Sequence, residues 1–142
     1  MVFKLFVDSD VVISSLLSSS GAAFLLIHKT DDINLFISNL SQKELETVSS
    51  RLNLPIHELH LLFKNKLDII QLKQTTQDAK KEYKEYVSDS NDAHIILGAK
   101  EAKVRFLITY NLKDFKIEKI KQNFNILVMT PGQFIQYLRS IQ

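Results

Sequence analysis

The chain has 142 residues, of which 45% are hydrophobic and 24% charged, so its length and makeup fit one globular domain covering residues 1–142. It contains no cysteine, which excludes disulfide bonds, thiolate metal sites and cysteine nucleophiles, and which suits a reducing compartment. No basic leader precedes a long apolar run, and no stretch reaches the roughly 20 apolar residues of a membrane span. We therefore expect a cytoplasmic protein without a membrane partner.

Five short apolar runs have the length and composition of strands, and helical patterns alternate with them. The predicted strands cover residues 3–7, 34–38, 67–72, 106–109 and 126–129. The alternation predicts an α/β fold, with helices on both faces of a central, mostly parallel, five-stranded sheet. We find no internal repeat, low-complexity tract or linker in the sequence.

The helical segments are marked by apolar periodicity and by capping residues. After the first strand, we predict a helix near residue 11 that breaks around 18–21 and resumes at 22–28, with Asp10 as its N-cap. Ser41 and Glu44 have the spacing of a capping box for a helix over 42–52. The remaining helices are predicted after Pro55, over 76–87, over 92–102, as a single turn near 117–121, and after Pro131.

Acidic residues recur where the predicted strands end. Asp8 follows the first strand, whereas Asn111 and Asp114 follow the fourth. The carboxyl ends of parallel strands share one edge, and helices that run back along the sheet bring Glu44 and Asp92 to the same edge. An Asp after a strand is often only a helix cap, but the recurrence of acids along this edge exceeds what capping requires.

Carboxylates gathered in this way repel one another, by about 4 kcal/mol for two charges 4 Å apart at a surface-like dielectric. A divalent cation relieves that repulsion. An all-oxygen donor set without Cys selects Mg²⁺ or Mn²⁺ rather than Zn²⁺. Such ions activate water and neutralise the charge that grows on a phosphodiester during displacement.

The sequence resembles the PIN-domain nucleases over nearly its whole length. Four segments carry the resemblance: LFVDSDVVISSLL, SNLSQKELETVSSRL, SDSNDAHIILGAKEAKVRFLITYNLKDF and ILVMTPGQFIQYL. The third is the most specific, since it combines an Asp that opens a helix, a strand that ends in Thr, and a closing Asp-Phe. The resemblance implies a PIN-like fold and a metal-dependent endoribonuclease that uses Mg²⁺ or Mn²⁺. Many small single-domain members are VapC-like toxins of toxin–antitoxin pairs.

Carried over position by position, the family's acids match residues at the predicted edge. The implied catalytic residues are Asp8, Glu44, Asp92 and Asp114. The implied metal ligands are Asp8, Asp92, Asp114 and Asn111, where Asn111 stands at a position that is often Asp. Supporting roles fall to Asp10, Thr109 and Asp89. The rival of Glu44 is Glu46, which faces another side of its helix.

Charge distribution adds a candidate substrate surface. Residues 1–99 carry 10 Lys/Arg against 13 Asp/Glu, while residues 100–142 carry 8 against 3. The basic C-terminal third would attract a phosphate backbone, although solvated lysines on helix faces are the commoner explanation of such an excess. Lys113 and Lys116 are the candidate RNA-binding residues. The implied partners are RNA, a small antitoxin protein and a second copy of the chain in a homodimer.

Two other functions are compatible with parts of the sequence. In the first, the site has lost a metal ion because Asn111 stands in place of an acid. The protein is then a catalytically weak or inactive PIN-like module that binds RNA or a protein. In the second, Asp8 and Asp10 are the nucleophile and acid of a haloacid-dehalogenase-type phosphatase. That enzyme needs a later pair of acids after a Gly, and the sequence has no such segment.

Overall fold

Five parallel strands form one sheet at the centre of the computed structural model, which describes residues 1–142. The strands are β1 (Phe3–Val7), β2 (Ile33–Ser38), β3 (Leu67–Ile70), β4 (Phe106–Ile108) and β5 (Leu127–Met129). Their order across the sheet is β3-β2-β1-β4-β5, and every neighbouring pair is parallel. The predicted α/β class is therefore confirmed.

Eight α-helices connect and flank these strands. They are α1 (Ser9–Leu17), α2 (Ala22–Lys29), α3 (Asn39–Leu52), α4 (Ile56–Asn65), α5 (Thr76–Tyr83), α6 (Ala93–Glu101), α7 (Ile117–Phe124) and α8 (Pro131–Ser140). Three 3₁₀ turns lie at Lys84–Tyr86, Ser90–Asp92 and Leu112–Asp114. None of the helices alone is long and apolar enough to cross a membrane; α1 and α2 reach that composition only together, across a bend of 94°.

The strand pleat divides the core into two apolar clusters, one on each face of the sheet. In β1, Leu5 and Val7 belong to the cluster that contains residues of α1, α2, α4 and α8. Phe6 points to the opposite face and joins the cluster formed with α5, α6 and α7. This alternation is the period of two that a strand requires, and it produces the predicted three layers of helix, sheet and helix.

One close contact locks α6 onto the sheet. Gly98 lies against the ring of Phe6, and a Cβ atom added at Gly98 would come within 2.5 Å of Phe6 Cζ. Both residues are buried. Only glycine lets α6 approach β1 this closely.

Several predicted boundaries differ from the structure, and two of the differences concern caps. Helix α1 begins at Ser9, so its N-cap is Asp8 and the prediction of Asp10 was wrong. Helix α3 begins at Asn39, and its N-cap is Ser38, whose Oγ accepts a hydrogen bond from the Ser41 backbone N–H at 3.1 Å. The capping box predicted for Ser41 and Glu44 is therefore absent. The single turn predicted near 117–121 extends to Phe124 as α7.

Candidate active site

The candidate site lies where the strand order reverses. From β1 the chain continues outward to β2 on one side, whereas β4 and β5 lie on the other side, so the switch point falls between β1 and β4. Open α/β sheets bind ligands in the crevice that forms at the carboxyl ends of the strands at such a point. Asp8 follows β1 there and Thr109 follows β4, and the backbone N–H of Asp8 donates to the carbonyl of Ile108 at 2.9 Å.

Thr109 joins the two strand ends through its side chain. Its hydroxyl donates to Asp8 Oδ2 at 2.9 Å and accepts from the backbone N–H of Asn111 at 3.1 Å. Asp10 Oδ2 lies 3.4 Å from the same hydroxyl, but a single proton serves the shorter contact. Thr109 is fully buried, so it fixes one oxygen of Asp8 with little freedom to move.

Asp10 reaches across to the segment after β4 and does not cap α1. Its Oδ2 accepts from the backbone N–H of Tyr110 at 3.0 Å and from Asn111 Nδ2 at 3.1 Å. Its other oxygen, Oδ1, is buried and has no hydrogen-bond partner. Buried carboxylate oxygens are rarely left unpaired, so this oxygen is available to a cation or a water molecule.

The pKa of the Asp8 carboxyl group is strongly raised. Burial raises its pKa from 3.8 to about 7, and the charges of Asp10 and Asp92 add to the increase. The hydrogen bonds from Thr109 and from the Ser9 backbone N–H, the latter at 2.7 Å, oppose it. The carboxyl group is thus in an environment that disfavours its negative charge, and a nearby cation would relieve that cost.

Asp92 and Asp114 belong to the same electrostatic group. Burial raises the pKa of Asp92, followed by the charges of Asp89 and Asp114. The charge of Asp114 also contributes to the raised pKa of Asp10, whose main cause is burial. Asp114 ends a 3₁₀ turn in which its backbone N–H donates to the carbonyl of Asn111 at 3.0 Å.

Glu44 has a partner that the sequence did not indicate. The Glu44 carboxylate lies 3.4 Å from Nε2 of His94, and the side chains are 46% and 4% exposed. A hydrogen bond from His94 is the main reason that the pKa of Glu44 lies below its usual range. In the sequence, His94 lies close to Asp92 but on a different side of the predicted helix, and no pattern indicates its contact with α3.

The remaining residues predicted from the sequence are exposed. Asp89 is exposed, and its carboxylate accepts from the Asn91 backbone N–H at 2.9 Å, so it caps the turn before α6. Lys113 and Lys116 are exposed beside Asp114, and neither is in an ion pair. Glu46 is exposed on α3. Asn111 is already bound to Asp10 through its amide nitrogen, which leaves its carbonyl oxygen as the possible ligand.

The chemistry of these donors fits a hard divalent cation. They are carboxylate and amide oxygens, and the acids raise one another's pKa while Oδ1 of Asp10 lacks a partner. As they stand, no three His, Asp or Glu side chains are close enough to hold one ion together.

Comparison with known proteins identifies the family to which this architecture corresponds. The model of the PIN domain family matches residues 4–113, which include Asp8, Glu44, Asp92 and Asn111 and end one residue before Asp114. No curated protein sequence matches the chain.

Two solved structures share the fold at low sequence identity. One is VapBC2 from Rickettsia felis, bound to a DNA fragment from its promoter; it has a TM-score of 0.59 and 16% identity, and covers 89% of this chain and 97% of that chain. The other is VapC20 from Mycobacterium tuberculosis, a Sarcin-Ricin loop cleaving toxin; it has a TM-score of 0.53 and 14% identity, and covers 87% of this chain and 98% of that chain.

Proposed function

This chain belongs to the PIN domain family, and from that premise we propose that it is a metal-dependent endoribonuclease that hydrolyses RNA phosphodiester bonds. One observation carries the proposal. At the switch point of the sheet, Asp8, Asp10 and Asp92 have raised pKa values, each in part because of neighbouring carboxylates. Proteins concentrate such perturbed carboxylates at functional sites.

Asp8, Asp92 and Asp114 are the proposed ligands of Mg²⁺ or Mn²⁺, with the carbonyl oxygen of Asn111 as a further donor. When bound, the cation would supply an activated water and would neutralise the charge that grows on the scissile phosphate. Glu44 is proposed to orient the attacking water, because its lowered pKa keeps it ionised and able to accept a hydrogen bond from that water.

Several neighbouring side chains support this group by positioning it. Thr109 holds Asp8 by donating to Oδ2, and His94 holds Glu44 from a buried position. Asp10 fixes the segment after β4 through Tyr110 and Asn111, and so fixes the base of the turn that carries Asp114. Positioning of this kind lowers the cost of organising the ligands at the moment of reaction.

The similarity to VapC20 and VapBC2 supports a toxin role within a toxin–antitoxin pair. We propose that a small antitoxin protein restrains this chain by covering the acidic site. Lys113 and Lys116, exposed beside Asp114, are proposed to contact the phosphates of bound RNA.

Two observations favour the alternative of an inactive PIN-like module. Asn111 contributes no charge and its amide nitrogen is bound to Asp10, while no three acidic or His side chains are close enough to share an ion. A protein of this kind would bind RNA or a protein partner without cleaving it. It would also show no increase in melting temperature on addition of Mn²⁺.

The proposal is tested by incubating a mixed RNA pool with wild type and Asp8→Asn in Mg²⁺, in Mn²⁺ and in EDTA. The matched control is Asp31→Asn, which removes an exposed carboxylate from the loop before β2, outside the site. We expect metal-dependent cleavage by wild type and by Asp31→Asn, and none by Asp8→Asn. Cleavage in EDTA, or full activity of Asp8→Asn, would contradict the assignment.

A further inference from the structure

A large cleft opens beside Glu44 and His94, at the same edge of the sheet as the acidic site. Its volume is about 870 Å³. One wall is the exposed face of α3, and the other is formed by the segment between β3 and α5. Because Glu44, a proposed member of the catalytic site, and its partner His94 both line the cleft, the cleft adjoins the site at which cleavage is proposed.

The charge of the cleft is positive although the site it joins is acidic. Lys43, Arg51, Lys73 and Lys80 line it, and Glu44 is its single acidic lining residue. None of the four cations is in an ion pair with a carboxylate of this chain. All four come from the part of the chain that is acidic in total, so the excess of basic residues after residue 100 does not reveal them.

Two of the cations, Lys43 and Arg51, line the cleft from α3. They are eight residues apart and are therefore separated by about 12 Å along the helix axis. Lys73, after β3, and Lys80, on α5, line the cleft from the opposite wall. A chain lying between the two walls would have positive charges on both sides.

We infer that this cleft is a binding track for single-stranded RNA, in which Lys43, Arg51, Lys73 and Lys80 contact phosphates on one side of the cleaved bond. This inference rests on the proposed function, since it specifies how the substrate of that site is held. Contacts to phosphates carry no sequence information, so the track sets affinity and direction while any sequence preference arises nearer the cleaved bond.

The lining of the cleft favours nucleic acid over a protein segment. Its apolar lining residues are Leu40, Val48 and Leu72, and none of the lining residues is aromatic. Protein-binding sites have apolar cores enriched in aromatic residues, with charged groups kept to the rim. A groove lined by unpaired cations, hydroxyls and amides offers instead the contacts that a phosphate backbone accepts.

The test uses a triple variant, Lys43→Ala with Lys73→Ala and Lys80→Ala, and a control that loses the same charge. The control carries Lys29→Ala, Lys64→Ala and Lys121→Ala, three exposed lysines outside the cleft. Binding of a short labelled single-stranded RNA is measured in EDTA over a series of salt concentrations, so that cleavage plays no part. Each lost phosphate contact lowers the salt slope by about 0.7, so the track variant should lose about 2 while the control keeps the wild-type slope.

A second measurement tests whether the track holds RNA on only one side of the cleaved bond. Substrates with the same cut site are shortened from either end, and cleavage by wild type should weaken strongly on shortening from one end only. In the track variant that asymmetry should disappear. Equal salt slopes for both triple variants, retention of the asymmetry, or binding of an acidic peptide in place of RNA would overturn the track. If one of these results is obtained and wild type still cleaves RNA, the track is wrong and the proposed function is retained. If the track variant loses RNA binding but wild type never cleaves RNA, the track is retained and the proposed function is wrong.

Discussion

Replacing Asp8 by Asn should make the metal-free protein more stable at neutral and alkaline pH. The pKa of Asp8 is raised from 3.8 to about 7, chiefly by burial and then by the charge of Asp10. Since one pKa unit corresponds to about 1.4 kcal/mol, ionisation of Asp8 lowers the free energy of unfolding by about 4 kcal/mol. Asn cannot ionise, and its carbonyl oxygen can still accept the hydrogen bond from the Ser9 backbone N–H.

The sign follows from proton binding. Below about pH 4 Asp8 is protonated in both the folded and the unfolded chain, so it contributes no pH dependence. Between pH 4 and 7 the folded chain retains a proton that the unfolded chain releases, so wild type loses stability as the pH rises. Above pH 7 the loss is complete. The substitution also disturbs the contact with Thr109, which costs about 1 kcal/mol and leaves a net gain of about 3 kcal/mol at pH 8.

The assay is urea unfolding followed by circular dichroism, in EDTA, at several values between pH 4 and 8. Asp8→Asn should be about 1 kcal/mol less stable than wild type at pH 4 and should become the more stable of the two as the pH rises, whereas Asp31→Asn should follow wild type throughout. A constant difference between Asp8→Asn and wild type at every pH, or a less stable Asp8→Asn at pH 8, would refute the reasoning. Added Mn²⁺ should stabilise wild type and should have little effect on Asp8→Asn.

Three further predictions concern other residues. Asp92→Asn should lower the cleavage rate more than about a thousandfold, while its metal-free stability at least equals that of wild type; rate assays and unfolding curves check both points. If Asp114 is the fourth ligand, Asp114→Ala should lose activity as severely as Asp8→Ala, and Asn111→Asp should change little; if Asn111 holds that place, Asn111→Asp should lower the Mn²⁺ concentration for half-maximal cleavage. Gly98→Ala should destabilise the protein by about 1–3 kcal/mol in urea unfolding, because its Cβ would meet the Phe6 ring; an unchanged midpoint would show that α6 can move away from β1.

The local sequence patterns predicted the sheet because each strand is a short apolar run that ends at a polar residue. Asp8 and Thr109 could be assigned to one edge from strand direction alone, and they do meet there through a 2.9 Å hydrogen bond. The caps were less predictable. Asp10 and Ser41 each fit the N-cap pattern, but Asp8 and Ser38 take those positions, since the helices begin directly at the strand ends.

Contacts between residues that are far apart along the chain could not be predicted from local sequence patterns. His94 and Glu44 are 50 positions apart, and their contact depends on how closely α6 packs onto the sheet, which the Gly98 and Phe6 pair permits. The basic cleft was missed for a similar reason. Its cations are scattered among acidic residues in sequence, and only the packing of α3 against the segment after β3 brings them to one groove.

The most direct test of the central claim asks whether the carboxylates hold a metal ion at the cleaved phosphate. An RNA containing the mapped cut site is prepared with sulfur in place of one non-bridging oxygen at that phosphate, and its cleavage is compared with that of unmodified RNA. Because Mg²⁺ binds sulfur poorly and Mn²⁺ tolerates it, one sulfur isomer should be cleaved slowly by wild type in Mg²⁺ and at a restored rate in Mn²⁺, while Asp8→Asn cleaves neither RNA. Equal cleavage of both RNAs in Mg²⁺, or cleavage that persists in EDTA, would contradict the assignment of Asp8, Asp92 and Asp114 to a metal-dependent site.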